Sequence, residues 1–175
     1  MVFEQHLKGG GAVTREEFAV HVSKIRIKLF KTAMMYLRNE HDALEAVDEA
    51  VYKGLCAVGK LRESEYFDTW ITRIVINECY KLIRQNRREE RSGESPELSC
   101  EDFDGLPLKE AVHALPKELH DVILLRFFGG YTLAETAEIL KIPQGTAATR
   151  QRRALGLLRL SLEDVDREKE AENGL

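Results

Sequence analysis

No apolar run in these 175 residues approaches the roughly 18 that a membrane span takes, and the N-terminus lacks a basic segment followed by an apolar core and a cleavage site. A cytoplasmic location without direct membrane insertion is the expectation. Cysteine is scarce: Cys56, Cys79 and Cys100 are odd in number and far apart, which fits neither a disulfide framework nor the paired spacing of a zinc site. They read as reduced thiols, two of them in a core. The histidines, at 6, 21, 41, 113 and 120, share no ligand spacing with one another or with the cysteines. Gly-rich phosphate loops and nucleophile elbows are absent too. The sequence therefore predicts no enzyme, no catalytic residue, no metal, no cofactor and no small-molecule substrate. His113 and His120 are expected to be structural or solvent-facing.

What the chain does have is charge arranged in blocks. A net charge of −4 argues at first against a nucleic-acid partner, because phosphate binding needs local positive charge. The distribution reverses that impression. Lys141 to Leu160 holds five basic residues and no acid, and Lys81 to Arg91 holds five basic against two acidic. Acid collects elsewhere, with six acids against one lysine from Ser92 to Glu110 and six against two bases from Ser161 to Leu175.

Hydrophobic residues make up 43% of the chain, enough for one ordinary core or two small ones, and helical periodicity dominates. Residues 1–13, with Gly9-Gly10-Gly11, form a loose, disordered lead-in. Thr14 and Glu17 form a capping box for a first helix, on which Phe18, Val22, Ile25 and Leu29 recur, ending near Asn39. Asp42 caps a second, lined by Ala43, Val47, Ala50 and Gly54 or Leu55, with Asp42, Glu45, Asp48 and Glu49 left charged. Asp68 caps a third that reaches about Arg88. Residues 14–91 thus form one helical domain, and the Ser-, acid- and Pro-containing stretch 92–107 reads as a flexible acidic linker. In a second domain, 108–160, helices run from Leu108 to Leu115 and from Lys117 to Phe128, the latter stopped by Gly129-Gly130. Thr132 and Glu135 box a short helix to Leu140, and a last helix runs from Pro143 to Arg159. Residues 161–175 read as an acidic tail. The fold class is all-α: an N-terminal helical bundle and a C-terminal helix-turn-helix.

The third helix separates at about 100° per residue into two opposed stripes. Ile71, Val75, Cys79 and Leu82 are apolar. Trp70, Arg73, Asn77, Tyr80, Lys81 and Arg84 lie opposite, a mixture that suits stacking on bases and holding phosphates. Ordinary aromatic burial is the alternative. On the last helix Ala147, Ala154 and Leu158 share a face with Gln151, while Ala148, Thr149, Arg152, Arg153 and Arg159 point the other way. In a helix-turn-helix the N-terminal residues of the second helix meet base edges, which nominates Gln144, Thr146, Ala148 and Thr149 for readout and the arginines mainly for phosphates. A surface helix with solvated arginines is the bland reading.

These residues carry a resemblance. Leu115-Pro116-Lys117-Glu118, Leu125 to Thr132, Ala134-Glu135 and Gly145-Thr146 with Arg150, Arg153 and Ala154 resemble the promoter-reading C-terminal domain of bacterial sigma factors. Asp42-Ala43 with Glu45 and Glu49 resembles that family's polymerase-binding helix. Phe67, Thr69-Trp70-Ile71, Ile74, Asn77 and Arg84 resemble its minus-ten helix. The order and spacing of both sets resemble the small extracytoplasmic-function (ECF, group IV) sigma factors over residues 15 to 160. The resemblance implies that Asp42, Glu45, Asp48 and Glu49 grip core RNA polymerase. It implies that unpaired minus-ten bases meet Arg62, Tyr66, Phe67, Trp70, Arg73, Asn77, Tyr80, Lys81 and Arg84. Arg126, Thr132, Gln144, Gly145, Thr146, Ala148, Thr149, Arg150, Arg152 and Arg153 would meet duplex minus-thirty-five promoter DNA. It also implies an anti-sigma factor as a partner. Against the family pattern, Asp48 replaces Gln, Val51 an aromatic, Asp68 Arg and Lys81 Asp; Thr136, Ala147 and Gln151 replace apolar residues in the helix-turn-helix. A buried Gln151 must find a partner or cost roughly 1 to 3 kcal/mol.

Two other readings compete. A helix-turn-helix regulator acting without polymerase explains residues 115 to 160 but leaves the first domain idle, and a helical adaptor would use the charged faces to bind proteins. The charge blocks further suggest that the linker or tail lies against the basic helix in the free protein.

Overall fold

The computed structural model describes residues 13–61, 63–92 and 107–173, and the chain divides into two compact units, one within residues 1–98 and one within 99–175. All regular structure among the described residues is helical.

In the first unit α1 (Arg15–Leu37), α2 (Glu40–Ala57) and α3 (Phe67–Ser92) pack each against the other two. The Thr14 hydroxyl accepts from the Glu17 amide at 3.2 Å and the Glu17 carboxylate accepts from the Thr14 amide at 2.8 Å, the reciprocal box that starts α1. Arg38, left-handed at φ 56°, ends it. Asn39, not Asp42, caps α2: its Oδ1 accepts from the Asp42 amide at 3.0 Å. Asp42 is thereby left to α3, where Asn86 Nδ2 donates to its carboxylate at 2.9 Å. Asp68 does not cap α3 either, since the helix begins a residue earlier, straight out of a 3-10 turn at Ser64–Tyr66. Asp68 sits in the first turn, where the helix dipole favours an acid.

The core of this unit is Phe18, Leu29 and Ala33 from α1, Ala43, Val47 and Ala50 from α2, and Phe67, Ile71, Val75 and Cys79 from α3. A Cβ on Gly54 would fall 2.6 Å from Ile71 Cδ1, so the glycine lets α2 and α3 touch. Burial pushes the Cys79 thiol up to about 12, which makes it inert at neutral pH. Among the described residues Cys79 is core and Cys56 is exposed; Cys100 lies outside them.

In the second unit α4 (Pro107–Ala114), α5 (Lys117–Ile123) and α6 (Leu133–Leu140) all pack on α7 (Gln144–Asn173). α5 runs into a five-residue π turn, Leu124–Phe128, closed where the Gly129 amide donates to the Leu124 carbonyl at 2.8 Å. Gly130 then takes φ +69°, and Tyr131 folds back so closely that a Cβ on Gly129 would lie 2.8 Å from its ring. The Thr132–Glu135 box starts α6, and Lys141 at φ 54° makes the turn into α7. His113 is exposed and its ring stacks 5.4 Å from that of half-buried His120.

α7 does not stop near Arg159. No Pro interrupts it, Glu163 accepts from Arg159 at 2.7 Å one turn on, and the helix continues to Asn173. The expected tail is thus mostly an extension of the last helix. At about 1.5 Å per residue, position 164 lies roughly 20 Å along the axis from Arg150. A rigid helix cannot double back, so beyond the Arg159–Glu163 pair residues 161–173 of the same helix do not reach Arg150, Arg152 or Arg153. The linker, 93–106, lies outside the described residues.

Candidate nucleic-acid interface

On α3 the opposed stripes are realised. Ile71, Val75 and Cys79 are fully buried, while Asn77, Lys81 and Arg84 are exposed. Trp70 and Tyr80 are half-buried, so base stacking and aromatic burial are not exclusive: each ring has one side against the unit and some area in solvent. The Trp70 ring lies 6.0 Å from that of Phe67, and Tyr80 meets Tyr36 edge-on at 5.5 Å. Phe67, expected at the surface, is 1% exposed. It packs edge-on to Phe18 at 5.4 Å and beside His21 at 4.9 Å, and so supports Trp70 from behind. Tyr66 is exposed next to it. Arg73 is half-buried with an Nε that finds no hydrogen-bond partner among the described residues. Arg62 lies outside them.

The acidic side of α2 adjoins this face. Glu45 and Asp48 are exposed, while Asp42 and Glu49 are half-buried. A groove of about 430 Å³ runs between Glu45, Asp48 and Glu49 on α2 and Glu78, Lys81 and Leu82 on α3. Its floor holds a residue that sequence reasoning passed over. Glu78, 7% exposed, accepts from Lys53 Nζ at 2.7 Å, and Lys81 Nζ lies 3.8 Å from the same oxygen. Lys53 also reaches Glu49 at 3.1 Å. The hydrogen bond to Glu78 holds the Lys53 ammonium above its ordinary range. The signal was present: at 100° per residue Glu78 falls only about 20° outside the apolar stripe, too close to it for a freely solvated acid. His41, Asp42 and Glu45 bring potential ligand atoms within 4.8 Å of one another. That group is largely exposed and Asp42 is already engaged by Asn86, so it is assigned no metal.

On α7 the packed face is small. Ala147 and Ala154 are fully buried, and Leu158 nearly so. Gln144, Gly145, Thr149, Arg152 and Arg153 are exposed, with Thr146 and Ala148 half-buried. Arg150 is half-buried and paired to Glu118 of α5 at 2.7 Å. Two expected contacts have work inside the unit. Arg126 donates to the Tyr131 carbonyl and, at 3.2 Å, to Gln151 Oε1, so it fixes the turn before α6 and supplies the partner that Gln151 required. Thr132 is exposed, but its hydroxyl is used in the capping box, donating to Glu135 at 2.7 Å.

Residues 22–89 match the family model for sigma-70 region 2, and residues 111–160 match that for sigma-70 region 4. RNA polymerase sigma factor SigV of Bacillus subtilis is 31% identical over 142 residues, spanning 78% of this chain and 86% of that protein. The ECF RNA polymerase sigma factor SigW of the same organism is 24% identical over 94% of this chain and 99% of its own. The chain belongs to the ECF sigma factors. The fold agrees: the sigma factor RpoE of Bartonella quintana, solved in complex with the anti-sigma factor NepR, superposes with a TM-score of 0.66 at 19% identity, over 85% of this chain and 98% of that one. As a sigma factor the protein binds core RNA polymerase and promoter DNA and directs promoter-specific transcription initiation; it is not an enzyme. With both sigma-70 regions present, the polymerase-independent regulator and the adaptor fall away. No helix among the described residues is long and apolar enough to cross a membrane.

Proposed function

We propose that this sigma factor divides promoter recognition between α3 and the start of α7. On α3, Trp70, Arg73, Asn77, Tyr80, Lys81 and Arg84, with Arg62 and Tyr66 from the residues before it, hold the unpaired minus-ten strand. Phe67 acts behind Trp70. On α7, Gln144, Gly145, Thr146, Ala148 and Thr149 meet bases of the minus-thirty-five duplex, and Arg150, Arg152 and Arg153 meet phosphates. Arg126 and Thr132 shape that site from within. Asp42, Glu45, Asp48 and Glu49 dock core polymerase, where their charges contribute steering and register more than affinity.

The observation that carries this reading is the half-burial of Trp70 and Tyr80 between exposed Asn77, Lys81 and Arg84. Rings wedged against a core are pre-oriented, so base stacking at roughly 1 to 3 kcal/mol per base offsets the few kcal/mol of unstacking. Run-off transcription with purified core polymerase tests it. Alanine at Trp70 should abolish the response to changes in the minus-ten element, and alanine at Gln144 and Thr149 the response to the minus-thirty-five element. Equal sensitivity of both variants to both elements would sink the division of labour.

A cytoplasmic location follows from work on DNA. By likeness to the RpoE complex an anti-sigma factor is the expected regulator. Phe127, Phe128, Leu155 and Leu160, exposed in the second unit, offer apolar area for it. Co-purification from cells checks that partner, and loss of capture on replacing Phe127 and Leu160 with serine would place it on this surface.

A further inference from the structure

The Glu78 cluster has a role beyond packing. Its two lysines are held unequally. Lys53 is 2.7 Å from Glu78 and keeps a second anion, Glu49, at 3.1 Å. Lys81 is 3.8 Å from Glu78, about half-exposed, and has no second ion-pair partner among the described residues. The Glu78 side chain is only 10% exposed, so its charge is costly to leave bare, but departure of Lys81 leaves it paired to Lys53. Lys81 also lies on the exposed side of α3 with Asn77 and Arg84. It is the cation of this cluster that is free to swing toward a phosphate.

We propose that Glu78 is a positioning residue that holds Lys81 back from nucleic acid in the free sigma factor, so that a single strand must first outcompete a carboxylate of the chain itself. The proposal rests on reading α3 as the single-strand face. Phosphate attraction is blind to sequence, whereas stacking on Trp70 and Tyr80 and hydrogen bonding by Asn77 are not weakened by Glu78. An internal anion competing for Lys81 therefore lowers the sequence-independent part of the affinity and leaves the base-dependent part intact. Arbitrary strands, which bind through phosphates alone, are held more weakly in absolute terms.

The test uses the full chain and a fluorescein-labelled single-stranded oligonucleotide of arbitrary sequence, with anisotropy followed from about 50 to 300 mM NaCl. E78Q, which keeps an oxygen for Lys53, is expected to bind about threefold tighter at the lowest salt, with a log-affinity against log-salt slope steeper by about 0.7, one added phosphate contact. Adding K81Q to E78Q should remove that gain. A purely packing role for Glu78 would lower the melting temperature without steepening the slope. Unchanged affinity and slope in a folded E78Q, or a gain that survives in the double variant, overturns the proposal. Should E78Q fail to fold, E78D, whose carboxylate is withdrawn by one methylene, must shift both quantities the same way by a smaller amount, and an unshifted slope there overturns it equally. Trp70→Ala and Arg84→Gln separate the two levels: if they leave oligonucleotide affinity unchanged, the single-strand reading of α3 fails. If they weaken binding while E78Q does not strengthen it, the Glu78 proposal alone fails.

Discussion

The two helices proposed to meet DNA face solvent in opposite ways. α3 backs its exposed side with rings: Trp70 leans on Phe67 and Tyr80 on Tyr36. α7 backs its own with Ala147 and Ala154, the smallest apolar side chains available. The difference follows from what each face meets. A flipped base needs a stacking surface that does not give way, so the rings must be continuous with a core. A major groove admits a helix only if that helix stands clear of its support, and a thin alanine face lets α7 lie close on α5 and α6 while its arginines project. The same logic places cations differently. Arg150 and Lys81 are tied to acids of the chain, while Arg152 and Arg153 are exposed.

The sharpest way to break the comparison is to thicken the alanine face. Leucine at Ala154 or Ala147 adds three carbons to a fully buried position and should cost about 3 kcal/mol by overpacking. Hydrogen exchange is expected to show faster opening of α5 to α7, with α1 to α3 unaffected. Equal loss of protection in both units would mean that the alanine face is not local to the helix-turn-helix.

Acid should also act on the second unit. Burial, helped by His113 and Lys117 and opposed by Asp121, lowers His120 from its ordinary 6.5 to about 4. Between those values the unfolded chain binds the proton and the folded one resists it. The stabilisation is therefore fully present above pH 6.5 and is lost as pH falls toward 4, by up to roughly 3 kcal/mol. Urea titrations at several pH values should show the loss, and His120→Gln should flatten it. A His120→Gln profile as steep as that of the parent chain would assign the acid sensitivity elsewhere.

On the aromatic side, Trp70→Ala removes one stacking surface and should weaken open-complex formation by roughly 1 to 3 kcal/mol, about fivefold to 150-fold. Permanganate reactivity of unpaired thymines reads it. Phe67→Leu keeps the core filled but takes the ring from behind Trp70, so a smaller loss in the same direction is expected. If Phe67→Leu matches Trp70→Ala in full, the backing ring matters as much as the exposed one.

Features written within one turn were readable from the sequence. The boxes at Thr14–Glu17 and Thr132–Glu135 are i to i+3 chemistry, and the stripes of α3 and α7 are simple periodicity. What could not be read depends on residues far apart in the chain. Asn39 and Asp42 are both good caps three residues apart, and the choice is coupled to Asn86, 44 positions on, engaging Asp42. Arg126 resembles a DNA contact until Gln151, 25 positions away, meets it. Phe67 sits at a helix start, where sequence cannot tell which of two neighbouring aromatics turns inward. The acids after Leu160 suggested a tail because they lack an apolar stripe, yet nothing in them stops a helix already formed.

The smallest effect predicted concerns the place where the alanine-faced unit departs from good packing. Thr136 is fully buried on α6, and its hydroxyl has no hydrogen-bond partner among the described residues. Burying an unsatisfied hydroxyl costs about 1 to 3 kcal/mol, and valine has the same shape without it. Thr136→Val should therefore stabilise the second unit by about 1 kcal/mol, raising its melting temperature by some 4 to 8 °C. The gain should appear in α5 to α7 and not in α1 to α3, the converse of the leucine substitutions. A destabilised Thr136→Val would mean that a bound water satisfies the hydroxyl, and α6 would then hold a buried polar contact, as α3 does at Glu78.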